Sequence, residues 1–117
     1  MDVTGLWTAE IVTSSGQATG VVTLHDGTLS GGDANYYYIG SYEQEGQKIS
    51  GTIRIVHFSG PLAAVFGAIR DFDFRFTGFA DEDLIVARAN AGRKGSALVA
   101  MRMAINLRRV SNWRVSR

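Results

Sequence analysis

Hydrophobic and polar positions alternate along most of this chain with a period of two. The clearest case is the segment 69–76, where Phe72, Phe74 and Phe76 alternate with charged residues. Such alternation is typical of a β-strand with one buried face, because successive side chains point to opposite sides of the sheet. Similar segments recur about every ten residues and are separated by glycine-rich turns, which is the pattern of an all-β domain.

The turns between these segments carry their own conformational signals. Asp26-Gly27 suits a tight type I′ hairpin, because both residues tolerate positive φ. The paired glycines Gly31 and Gly32, followed by Asp33, predict a bulge or sharp bend inside a strand. The chain therefore reads as a meander of short strands joined by tight turns.

The strand pattern predicts an all-β fold in one domain over residues 1–117, an antiparallel up-and-down barrel of about eight strands. Closure removes the unprotected edge strands that an open meander leaves. Residues 60–67 form the only stretch that suits a helix, of one or two turns. A barrel of this size is either filled by side chains or holds one small ligand. The inward faces are predicted to comprise Trp7, Ile11, Val22, Leu24, Ile53, Ile55, Phe72, Phe74, Phe76, Met101 and Met103.

The first strand opens with Gly5-Leu6-Trp7. This Gly-x-Trp resembles the first-strand signature of lipocalin-like and avidin-like barrels. The resemblance implies that Trp7 closes one barrel end and that an arginine of the last strand, Arg108 or Arg109, packs over its ring. Such a cation–π contact contributes about 0.5–2 kcal/mol. The expected fold is therefore a lipocalin-like, or calycin-like, barrel.

Charge is distributed unevenly along the chain. All eleven acidic residues lie at or before Asp83, together with four basic ones, whereas eight basic residues and no acidic residue follow. Such asymmetry can mark a surface for nucleic acid or an acidic partner. In a closed barrel the last strand lies beside the first, so segregation in sequence need not become a surface patch. We therefore expect no direct binding of nucleic acid.

The N-terminus and the hydropathy pattern bear on localisation. The first residues lack the basic and apolar regions of a signal peptide, and no apolar run approaches the ~20 residues of a membrane helix. The chain contains no cysteine, which excludes disulfides and thiolate metal sites. We expect a cytoplasmic protein that does not engage a membrane.

The residues that could carry catalysis or bind a metal do not form a recognisable site. The two histidines, His25 and His57, have no further ligand at suitable spacing and no nucleophile motif to complete a triad. Asp71 and Asp73 share a strand face with Arg75, which favours a solvated charge ladder over a catalytic acid pair. We therefore expect a binding protein rather than an enzyme, with no cofactor and no metal.

The tyrosines of the fourth strand divide between the two faces of the sheet. Alternation places Tyr36, Tyr38 and Tyr42 near one face and Tyr37 on the other. An exposed tyrosine suits a protein interface or base stacking. The alternative is that it simply covers the barrel with its hydroxyl in water, and the sequence leaves both open.

The run from Leu24 to Asp33, followed by Tyr38-Ile39-Gly40, resembles the GrlR family. These are small lipocalin-like barrels that act as negative regulators of type III secretion gene expression. The likeness covers residues 20–55, with Gly31-Gly32-Asp33 as its most specific motif. It implies a homodimeric barrel that restrains a transcriptional activator by direct contact, with an apolar interior that can take lipid.

The sequence departs from the family in the loop that contacts the activator. The family regulator carries four consecutive acidic residues after the Tyr-x-Gly strand, whereas this chain has Glu43-Gln44-Glu45-Gly46. We predict that Glu43, Glu45 and the exposed Tyr37 bind the partner. The alternative function is transport of a small apolar ligand or lipid, because phenylalanine and methionine side chains make an adaptable lining.

Overall fold

A computed structural model describes residues 2–67, 69–95 and 97–110 of the chain. The described residues form a closed antiparallel barrel in which each strand pairs with the next and the last returns to the first. This confirms the predicted up-and-down barrel. The strands are β1 (Gly5–Thr13), β2 (Gly16–His25), β3 (Thr28–Gly32), β4 (Tyr36–Glu45), β5 (Lys48–His57), β6 (Asp71–Ala80), β7 (Leu84–Lys94) and β8 (Ala97–Arg109).

The predicted hairpin turn at Asp26-Gly27 is confirmed in detail. Asp26 and Gly27 both have positive φ, 53° and 77°, as a type I′ hairpin between β2 and β3 requires. Gly31 faces the interior, where a Cβ would collide with the carbonyl oxygen of Val21. Only glycine permits so close an approach of two strands, and the register of β3 with β2 and β4 runs through this position without the predicted bulge.

One end of the barrel, which we call the Trp7 end, is closed by the indole of Trp7. The side chain has no exposed surface, and its Nε1 donates a hydrogen bond of 2.9 Å to the carbonyl oxygen of Val3. The guanidinium of Arg109 lies 4.5 Å from the ring centroid, as the Gly-x-Trp resemblance implies. Arg109 also donates to the carbonyl oxygens of Asp2, Thr4 and Glu82, so it ties the N-terminal segment to the β6–β7 turn.

The opposite end is closed by the connection between β5 and β6. The predicted short helix is a single 3₁₀ turn at Ala64–Phe66, whose Val65 and Phe66 are buried. Phe66 packs edge-on against Tyr36, with ring centroids 4.9 Å apart. The Thr13 hydroxyl donates to the Val65 carbonyl oxygen and the Ala63 amide donates to the Tyr36 hydroxyl, and both bonds fix this connection over the barrel mouth.

Side chains fill most of the interior between these two ends. Ten of the eleven predicted inward residues are buried, and Met101 is half-buried against the core. The space that remains is about 30 Å³ and is lined mainly by aliphatic side chains. Sites for drug-sized ligands occupy roughly 300–1,000 Å³, so the interior in this state is a packed core. No helix among the described residues is long and apolar enough to cross a membrane.

Candidate functional site: a groove on the outer wall

A groove of about 720 Å³ crosses β4, β5, β6 and β7 on the outer wall near the Trp7 end. Strand register builds it from residues far apart in sequence. Glu45 pairs with Lys48, Lys48 with Phe79, and Phe79 with Val86, so these outward side chains form one row. A second row contains Glu43, Ser50, Thr77 and Arg88. We call this site, with its two rows, the outer groove.

The outer groove carries opposite charges at its two ends. Glu43 and Glu45 stand at the β4 end, and Arg88 stands at the β7 end. Within the described part of the chain, none of these three side chains forms an ion pair or a hydrogen bond. Lys48 lies opposite Glu45 in the hairpin without closing to ion-pair distance. The charges are therefore solvated and remain free to meet those of a partner.

The outer groove contains exposed apolar side chains. Phe79 is 64% exposed, the highest fraction among the large hydrophobic side chains described, and its neighbour Val86 is also exposed. Exposed aromatic side chains are enriched at protein interfaces because they bury a large area with little loss of rotamer freedom. The groove thus joins an apolar centre to a polar rim, as protein-binding surfaces do.

Two of the predicted partner-binding residues lie in the outer groove and the third does not. Tyr37 and Glu43 share the outer face of β4 but are six residues apart, which corresponds to about 20 Å of strand. Tyr37 is 40% exposed and lies with Phe58 at the end away from Trp7, their ring centroids 6.3 Å apart. Val21 and Ile39, also exposed, flank it across β2, β3 and β4. We call Val21, Tyr37, Ile39 and Phe58 the Tyr37 patch.

The residues that sequence reasoning missed are Phe79, Val86 and Arg88. A signal for Phe79 was available, because Phe72, Phe74 and Phe76 point inward and the same alternation puts Phe79 outside. Nothing in the sequence placed Val86 and Arg88 beside it, since their proximity depends on the register between β6 and β7. The glutamates and the outward position of Phe79 were visible in the sequence, whereas the proximity of Val86 and Arg88 was not.

Asp33 of the Gly-Gly-Asp motif accepts three hydrogen bonds in the connection between β3 and β4. Its Oδ1 accepts hydrogen bonds of 2.8 Å from the backbone amides of Asn35 and Tyr36. Its Oδ2 accepts a bond of 2.7 Å from the Tyr38 hydroxyl. Burial, and then the nearby Asp33 carboxylate, raises the pKa of Tyr38 far above its usual range, so this hydroxyl remains a donor. The motif therefore shapes the β3–β4 connection.

The titratable residues weighed for catalysis are engaged in structural contacts. His57 Nε2 lies 2.7 Å from the Gly60 carbonyl oxygen, and its ring packs against Tyr36. Asp71 and Asp73 are bridged by Arg54 from β5, at 3.2 and 3.9 Å, rather than by Arg75 as the sequence suggested. Among the described residues, no group of three or more acidic or histidine side chains is arranged to hold a metal ion.

The comparisons with known proteins do not assign the chain to a family. No family model matches it, and no curated protein matches it significantly. The resemblance to the GrlR family therefore rests on the residues of this chain.

Proposed function

We propose that this protein is a non-enzymatic, cytoplasmic regulatory binding protein that resembles GrlR and restrains a transcriptional activator by direct contact through the outer groove. The observation that carries the proposal is that two unpaired carboxylates, Glu43 and Glu45, line the same groove as the exposed ring of Phe79, with Lys48 between Glu45 and Phe79. DNA-binding activators carry basic surfaces, and a negative patch beside an apolar centre complements such a surface.

The packed interior supports a function at the outer wall. A space of about 30 Å³ has no room for an acyl chain unless the core side chains repack, so transport of an apolar ligand has the weaker support. The wall, by contrast, presents exposed apolar residues and unpaired charges that the fold itself does not use.

Reversing both acidic charges, Glu43→Lys together with Glu45→Lys, should lower the affinity for the activator at least tenfold. Like charges brought together across an interface cost several kcal/mol, whereas the two exposed positions contribute little to stability. The measurement is co-purification of the activator with the full chain from its own cells, with a reporter on the activator's promoter. Restraint of the reporter should be lost.

The matched control is Glu82→Lys, which reverses an exposed acidic residue in the β6–β7 turn. Its side chain makes no ion pair with a described residue. We expect this variant to keep activator binding and reporter restraint. Equal loss in both variants would trace the effect to net charge, and full restraint by the double variant would refute the assignment of the groove.

The Tyr37 patch suits the homodimer that the resemblance implies. It lies away from the outer groove, so a second copy could cover it while the groove stays open. The double substitution Tyr37→Glu and Ile39→Glu should then convert dimer to monomer, because it places charges in a desolvated contact. Light scattering after size exclusion measures this, and an unchanged dimer mass would place the contact elsewhere.

A further inference from the structure

The outer groove continues into a cluster of three arginines on consecutive strands, Arg75 of β6, Arg88 of β7 and Arg102 of β8. All three are exposed. Arg88 pairs in register with Thr77 of β6 and Ala104 of β8. Arg75 lies two residues before Thr77, and Arg102 lies two residues before Ala104. They therefore lie diagonally from Arg88 on its two adjacent strands, where the register of both strand pairs shifts. We call these three residues the arginine cluster.

The arginine cluster forms no ion pair with a described residue, although Asp73 lies two residues before Arg75 on the same face of β6. The chain has no acidic residue after Asp83. Of the eight C-terminal basic residues, Arg114 and Arg117 lie outside the described residues. Arg88 and Arg102 of this C-terminal group thus join Arg75, from the acidic part of the sequence, in a basic surface on β6, β7 and β8.

The distance between the acidic end and the basic end limits the occupant. Glu43 and Arg88 belong to one row and are separated by three strand spacings, about 14 Å. Between them lie the small side chains Ser50 and Thr77, and in the neighbouring row lie Lys48 and the apolar pair of Phe79 and Val86. Because two carboxylates outnumber the one lysine at the β4 end, that end is acidic on balance, and an occupant with a cation, an apolar strip and an anion in that order complements the groove.

This arrangement favours a protein segment over a nucleic acid. A phosphate backbone is negative along its whole length, so the glutamates at the β4 end would repel it. The segment cannot add as a β-strand, because the barrel is closed and the described strands have no free edge there. An α-helix needs no main-chain partner and is recognised by its side chains.

We propose that the outer groove binds an amphipathic α-helix of the partner protein. Its apolar face covers Phe79 and Val86, a basic side chain at one end meets Glu43 and Glu45, and acidic side chains at the other end meet the arginine cluster. At 1.5 Å per residue, the two charged ends are separated by about ten residues, or three turns. This inference rests on the proposed function, because it states the chemistry of the partner that the outer groove would hold.

Three synthetic helical peptides of about fourteen residues test the inference by fluorescence anisotropy with the full chain. All share one leucine stripe, and they carry lysines at one end and glutamates at the other, lysines at both ends, or glutamates at both ends. We expect the peptide with opposite ends to bind at least tenfold more tightly than the other two. Affinity should fall as salt is raised, since both ends are solvent-exposed.

Charge reversal in the arginine cluster gives a sharper test. Arg88→Glu should weaken the peptide with opposite ends at least tenfold and make the peptide with lysines at both ends the preferred one. Arg102→Glu should also weaken the peptide with opposite ends. Agreement between the two variants would show that the effect does not come from a folding defect at one position. The matched control is Arg70→Glu, an exposed arginine outside the groove, which should leave all three affinities within twofold.

Several results would overturn the inference. Equal binding of the three peptides would show that charge order is not recognised. Tighter binding of the peptide with glutamates at both ends, or of an oligothymidylate, would identify a general anion surface. Failure of all peptides, while the glutamate reversals still release the activator in cells, would reject the helix and leave the proposed function standing.

Discussion

Replacing Trp7 with alanine should lower the free energy of unfolding by about 3–5 kcal/mol. The indole is completely buried at one mouth of the barrel, so its removal leaves a cavity that the surrounding strands can close only in part. The change also removes the hydrogen bond to Val3 and the ring under the Arg109 guanidinium. Denaturant unfolding followed by circular dichroism measures the loss, and a change below about 1 kcal/mol would show that the Trp7 end is not part of the cooperative core.

A double-mutant cycle separates the cation–π contact from the rest of this effect. Trp7→Leu and Arg109→Met, alone and together, should reveal a coupling of about 0.5–2 kcal/mol. Arg109→Met alone should also be destabilising, because the guanidinium donates to three carbonyl oxygens. Zero coupling would mean that Arg109 stabilises the fold only through those hydrogen bonds.

The second large effect is expected at Asp33, where alanine should cost about 3 kcal/mol. The carboxylate accepts three hydrogen bonds, and each bond to a charged group contributes about 1.5–3 kcal/mol without full additivity. Its loss leaves the buried Tyr38 hydroxyl without its acceptor. The same denaturant titration measures it.

Two variants define what the Asp33 result means. Asp33→Asn keeps one oxygen for the two backbone amides and should cost about 1 kcal/mol, clearly less than alanine. Asp83→Ala, at an exposed turn residue, should stay within about 0.5 kcal/mol of the parent. If asparagine lowered the free energy of unfolding as much as alanine, the negative charge rather than the hydrogen bonds would stabilise the β3–β4 connection.

Alternation in the sequence predicted which side chains enter the barrel because a strand has only two faces. It placed Phe72, Phe74 and Phe76 of β6 inside and Tyr37 outside, as the structure does. The same alternation distinguishes Arg108 from Arg109 as the arginine that packs over Trp7. Only Arg109 lies an even number of residues from the buried Met103 of β8 and so points to the same side of the strand. Local pattern was sufficient wherever the answer depended on one strand alone.

Features that depend on several strands could not be predicted in this way. The outer groove needs the register of β4 to β7, which pairs Phe79 with Val86 and Glu45 with Lys48. The filled interior depends partly on Phe66, whose segment read as a separate short helix rather than as the lid of the barrel. These features depend on how residues that are far apart in sequence pack together, and alternation within one strand does not reveal them.

The central claim is that this barrel acts by binding at its outer groove. The most direct measurement is photo-crosslinking in the native cells, with p-benzoylphenylalanine placed at position 79 of the full chain and, in a parallel strain, at position 23 on β2. We expect position 79 to crosslink to a DNA-binding transcriptional activator, identified by mass spectrometry, and position 23 not to do so. Crosslinking of that activator from position 23 but not from position 79 would contradict it.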